Sequence, residues 1–105
     1  MTQNTNTQQN GAAPRIRYPN DLRLARRERG LTRRQVASIV GRSIRSIRRY
    51  EGGATLPPLL TALKLEVLFR SQLAGLYDRT YQALRTELRA KEEAVLAHRN
   101  QKGGA

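Results

Sequence analysis

Apolar residues recur along this chain at intervals of three and four, broken by short polar or glycine-bearing segments. That period belongs to helices whose one face is buried, and no stretch alternates as a strand would. Asn20 is placed to cap a first helix over about Asp21–Arg29, stopped by Gly30. Thr32 caps a second, with Gln35 three residues on completing a capping box, and Gly41 ends it. Ser43 caps a third over about Ile44–Tyr50, ended by Gly52–Gly53. Pro57 and Pro58 open a fourth, which runs to about Arg70, since proline is tolerated in a first turn. Ser71 is placed to cap a short fifth ending near Tyr77, and Asp78 a sixth running to about His98. The expectation is an all-α chain.

Two of these helices carry more apolar surface than one buried stripe requires. The fourth is apolar almost all round. Leu59, Ala62, Leu63 and Phe69 are assigned to the domain core, which leaves Leu56, Leu60, Val67 and Leu68 for a second buried face. The sixth carries Tyr77, Tyr81, Leu84, Leu88 and Val95, with Lys91 in the gap, at the spacing of a short heptad seam. Glu87–Lys91 and Arg89–Glu93 are i,i+4 pairs on its flank. A dimer interface is therefore expected at Leu60, Val67, Leu68, Tyr81, Leu84 and Leu88. The sixth helix either zips to its twin or folds back over Leu60 and Val67.

Charge changes the picture most. The chain of 105 residues has a formal net charge of +12, and the excess is uneven. Arg15–Glu51 holds 12 Arg against Asp21, Glu28 and Glu51, whereas Gly52–Ala105 is nearly balanced. Arginine outnumbers lysine 17 to 3, and its planar fork suits phosphates and guanine edges in a way that lysine does not. A polyanion is the expected partner. There is no cysteine, so neither a disulfide framework nor a thiolate metal site can form. The only histidine, His98, lies near the end of the last helix; with no metal-ligand cluster, glycine-rich phosphate loop or buried carboxylate pair, no enzyme, metal or cofactor is expected. Residues 1–14, MTQNTNTQQNGAAP, carry no apolar run of the signal-peptide kind, and no stretch is long enough to span a bilayer. A soluble, cytoplasmic, nucleoid-associated protein is expected.

The second and third helices, joined by a tight glycine turn, form a helix-turn-helix arrangement. Ala37 provides the small residue where the two helices cross, and Gly41 the left-handed turn. Val36, Val40, Ile47 and Tyr50 form the inner faces, leaving Ile44, Arg45, Arg48 and Arg49 outside. Arg45 and Arg49 lie four apart on one face. Each can bond guanine O6 and N7, Ile44 can touch a thymine methyl, and Ser43 and Ser46 can reach a phosphate or a base. Arg33, Arg34, Arg42 and Arg48 suit phosphates, which set register without reading sequence. Arg15 and Arg17 form a basic arm that can reach an adjacent groove.

The gapless run LRLARRERGLTRRQVASIVGRSIRSIRRYEGGATLP resembles the phage Cro/repressor (XRE-type) helix-turn-helix family, and the resemblance covers residues 22–77. It implies core positions at Leu22, Ala25, Leu31, Val36, Ala37, Val40 and Ile47, and a structural ion pair between Arg26 and Glu51. Thr32 and Arg33 match the start of the second helix, where the family touches phosphate; Arg33 stands where glutamine is usual. Ile44, Arg45 and Arg49 match its base-reading positions. The combined expectation is a five-helix repressor-like domain over residues 20–77, preceded by a tail and basic arm (1–19). A dimerising C-terminal helix (78–99) and a disordered end (100–105) follow. The implied function is a sequence-specific regulator of transcription, a repressor, that binds a palindromic operator in double-stranded DNA as a homodimer. Two rivals are an antitoxin or adaptor whose C-terminal helix grips a different protein, and a nonspecific nucleic-acid coat.

Overall fold

The computed structural model describes residues 16–103, all of whose regular elements are helices. They are α1 (Leu22–Glu28), α2 (Arg33–Val40), α3 (Ile44–Glu51), α4 (Leu59–Phe69), α5 (Leu73–Leu76) and α6 (Asp78–Gly103). The first five enclose one core of Leu22, Val36, Ala37, Val40, Ile47, Tyr50, Leu65, Phe69, Leu76 and Tyr77. Ala25 and Leu31 pack against it half-buried.

The helix ends follow from local chemistry. Thr32 Oγ1 accepts from Gln35 N–H at 3.0 Å while Gln35 Oε1 accepts from Thr32 N–H at 2.9 Å, so the capping box closes. Gly41 then takes φ 76°, and its N–H and that of Arg42 both donate to Ala37 O. Ser43 Oγ accepts from Ser46 N–H at 3.0 Å, which starts α3. At α1, Asp21 occupies the cap position without a side-chain bond, and Asn20 Oδ1 takes the Leu22 N–H instead, at 3.0 Å. The Asn20 amide also donates to Tyr18 O at 2.8 Å and to Tyr50 O at 2.9 Å. One side chain thus joins the approach to α1, its first turn and the end of α3.

Several expectations need correction in the second half. The face of α4 turned to the core is Thr61, Ala62, Leu65 and Phe69; Leu59 and Leu63, assigned to the core, are 72% and 42% exposed. Leu68, assigned to the outer face, is half-buried against the core. A helix apolar on every side has no phase of its own, so its neighbours decide which side turns inward. Ser71 does not cap α5: its hydroxyl donates to Phe69 O, and the Leu73 N–H is taken by the Glu66 carboxylate reaching across from α4 at 3.1 Å. Asp78 is the first residue of α6, not its cap, and accepts from Gln82. α6 continues past His98 to Gly103, into the segment assigned to a disordered end, because no glycine or proline interrupts it before Gly103.

At 26 residues α6 is about 39 Å long. Only its start touches the core, through Tyr77 just ahead of it; most of Tyr81–Arg99 stands exposed, so α6 does not fold back over Leu60 and Val67. Glu87 and Lys91 pair along its flank at 2.8 Å, whereas Arg89 and Glu93 form no ion pair.

Candidate nucleic-acid interface

The outer side of α3 carries a row of arginines. Ile47 and Tyr50 are buried, and that fixes the rotation of the helix, since residues three and four apart share a face. Arg45, Arg48 and Arg49 are consequently exposed. So are Arg34 on α2 and Arg42 in the turn. Among the described residues no carboxylate pairs with any of these five arginines. Ile44, at the start of α3, is half-buried against the core, so only part of its surface can meet a ligand. Ser43 donates its hydroxyl to Ser46 Oγ at 3.0 Å, which engages both hydroxyls with each other.

This face is carried on a buried ion pair. Arg26, 7% exposed, donates from Nε to Glu51 Oε2 at 2.5 Å, from Nη2 to Glu51 Oε1 at 3.3 Å and from Nη1 to Leu31 O at 2.9 Å. The two parallel bonds make a bidentate fork, and every terminal nitrogen of Arg26 has a partner. Arg33 joins them: its Nε donates to Glu51 Oε1 at 3.0 Å. Sequence reasoning assigned Arg33 to phosphate alone and missed this bond, which spans eighteen positions and has no local signal. Among the described residues the Nη groups of Arg33 make no bond, and its side chain is 35% exposed.

The basic arm is also anchored to α3. The N–H groups of Arg17 and Tyr18 both donate to Gly53 O, at 2.9 and 3.0 Å. Gly53 itself sits at φ 72°, and a Cβ there would lie 2.8 Å from Tyr18 O and 3.0 Å from Ile16 Cγ2. Glycine is required twice over, for its backbone angle and for the close approach. The Arg17 side chain, exposed, therefore departs beside the C-terminal end of α3. Arg15 lies outside the described residues.

Away from the cationic side two stretches of the surface are apolar. Leu56, Leu59, Leu60, Leu63 and Val67 are exposed around α4, and Tyr81, Leu84, Leu88 and Val95 along α6. A groove of about 410 Å³ joins the two sets, lined by Leu56, Leu59, Leu73, Tyr77, Tyr81 and Leu84. A second, of about 490 Å³, runs between Ile39 and Leu60, Leu63 and Val67. Leu59 and Leu63 were missed as surface positions, for the reason that α4 lacks a helical phase.

Among the described residues, no group of histidine, cysteine and carboxylate side chains is arranged to hold a metal, and no helix is long and apolar enough to cross a membrane. Neither curated proteins nor solved structures gave a match to this chain. Residues 20–91, well over half the chain and reaching into α6, match the family model described as a helix-turn-helix domain. Together with the α2–Gly41–α3 geometry and the uncompensated arginines, that match is decisive: the chain belongs to the helix-turn-helix family of DNA-binding domains.

Proposed function

We propose that this protein is a sequence-specific transcriptional repressor of the Cro/repressor type, which docks α3 in the major groove and binds a palindromic operator as a homodimer. The observation that carries the reading is the outward row Arg45, Arg48 and Arg49 on a helix whose opposite side is locked into the core by Ile47 and Tyr50. Arg45 and Arg49 read guanine edges, with Ser46 and the uncovered part of Ile44 beside them. Thr32, Arg33, Arg34, Arg42, Ser43 and Arg48 meet phosphates and set the register. Arg17, tethered at Gly53, carries the arm toward the neighbouring groove, with Arg15 ahead of it. The buried Arg26–Glu51 pair supports the assignment to the Cro/repressor type. Such a protein works in the cytoplasm on the nucleoid.

Selection of bound duplexes from a random pool by the full chain tests this reading. Enrichment of one inverted repeat with half-sites about one helical turn apart is the expected result. Recovery of unrelated duplexes with a steep salt slope would instead make the protein a nonspecific coat. The exposed apolar face of α6 also suits the adaptor reading, which co-purification of a different protein dependent on Leu84 and Leu88 would favour.

A further inference from the structure

We infer that the second copy is bound through α6 in an antiparallel arrangement, in the register that sets Leu84 opposite the second copy's Val95. This rests on the homodimer reading above and specifies its geometry.

The occupant follows first from area and continuity. Tyr81, Leu84, Leu88 and Val95 form one exposed stripe on α6, and the groove at its base carries that stripe onto Leu56 and Leu59. These six side chains expose an apolar area on the order of the roughly 800 Å² that each partner buries in a stable interface. Heptad spacing is the pattern by which one helix pairs with another.

The direction follows from charge. With Tyr81, Leu88 and Val95 at a, the d positions are Leu84, Lys91 and His98, the e positions Asp78, Arg85, Glu92 and Arg99, and the g positions Thr80, Glu87 and Ala94. In a parallel pair g meets e, so Glu87 would face the second copy's Glu92, and Lys91 would meet its own twin inside the seam. Both contacts repel, and each Glu contact occurs twice. In an antiparallel pair e meets e and g meets g. The register with Leu84 opposite Val95 puts Asp78 beside Arg99 and Arg85 beside Glu92, each twice, with Glu87 beside Ala94. Lys91 then lies along Leu88 of the second copy, its amine held by its own Glu87 at 2.8 Å. A slip of one heptad, with Leu84 opposite Leu88, sets Asp78 beside Glu92, Arg85 beside Arg85 and Glu87 beside Glu87, all of like sign.

The length of α6 agrees with this register. Residue 78 lies level with residue 101 of the second copy, so the two helices overlap almost fully and each ends where the other's domain begins. The two attachment points are then about 35 Å apart. That is the scale of half-sites one helical turn apart, roughly 34–36 Å. A parallel pair would hold them only about 10 Å apart.

Charge reversal in the full chain, read as the dimer dissociation constant by sedimentation equilibrium, tests the arrangement. Arg85→Glu and Glu92→Arg should each weaken the dimer by about tenfold, and the double reversal should restore it. Tighter pairing of Glu92→Arg would point to the parallel arrangement and overturn the inference. The chain has no cysteine, so an equimolar mixture of Leu84→Cys and Val95→Cys proteins provides a second measurement. Disulfides joining the two variants are expected, and disulfides joining Leu84→Cys to itself would overturn the register while leaving the homodimer intact. A wild-type monomer mass at every concentration would overturn the homodimer reading itself.

Discussion

Arg33 Nε donates to Glu51 Oε1 at 3.0 Å, so the arginine that opens α2 is fastened to the glutamate that closes α3. Glu51 is at once the counter-ion of the buried Arg26 and the brace of an arginine proposed to meet phosphate.

The two arginines should therefore separate experimentally. Glu51→Ala leaves Arg26 buried without its carboxylate and should cost about 3–5 kcal/mol of stability in denaturant unfolding. Arg33→Ala removes a contact that is partly solvated and should cost under about 1 kcal/mol. Its effect should appear in DNA binding instead: weaker affinity for every duplex alike, and a salt slope reduced by about one.

Arg45→Ala should behave in the opposite way. Stability stays unchanged, because the side chain is exposed and unpaired. Binding to the selected operator should weaken by about 1–3 kcal/mol, with preference lost at one base position of each half-site. A loss that is equal across all mutated sites would remove Arg45 from base reading.

Gly53→Ala should cost more than Gly41→Ala, although both residues have left-handed backbones. At Gly41 an added Cβ meets no atom within 4 Å, which leaves the conformational term of about 1–2 kcal/mol. At Gly53 the Cβ also strikes the Tyr18 carbonyl at 2.8 Å, so the alanine displaces residues 16–18. Faster amide hydrogen exchange at Arg17 and Tyr18, whose N–H groups bond Gly53 O, checks this.

Tyr77 makes stability depend on alkaline pH. Burial, with a smaller contribution from Tyr50, pushes its phenol up from 10.0 to about 12. The folded chain then holds that proton where the unfolded chain has released it. Stability is full below pH about 10 and falls as pH rises toward about 12. Its hydroxyl is buried without a hydrogen-bond partner, so Tyr77→Phe should be neutral or stabilising by up to about 1 kcal/mol. It should also flatten the unfolding free energy over that pH range.

The parts of this fold that were legible in the sequence are those decided within a few residues. Thr32 with Gln35, Ser43 with Ser46, and Gly41 each make bonds to positions three or four away, and the periodic apolar residues of α2 and α3 have a definite phase. What the sequence withheld depends on residues far along the chain. Leu65 rather than Leu63 faces inward because α4 is apolar all round and takes its rotation from its neighbours, chiefly α2 and α5. Glu66 replaces Ser71 at the start of α5 because a carboxylate seven positions back happens to reach. The Arg33–Glu51 bond and the Gly53 anchor of the arm are equally remote in sequence.

The bonds that hold α3 in place have a consequence for its history. They run through Ile47, Tyr50 and Glu51 and through the Tyr50 and Gly53 carbonyls, which any residue would supply in the first case. Arg45, Arg48 and Arg49 carry none of that load. Substitutions on the outward row can accumulate without unfolding the domain, so a duplicated copy is free to drift toward a new target while inheriting an intact scaffold.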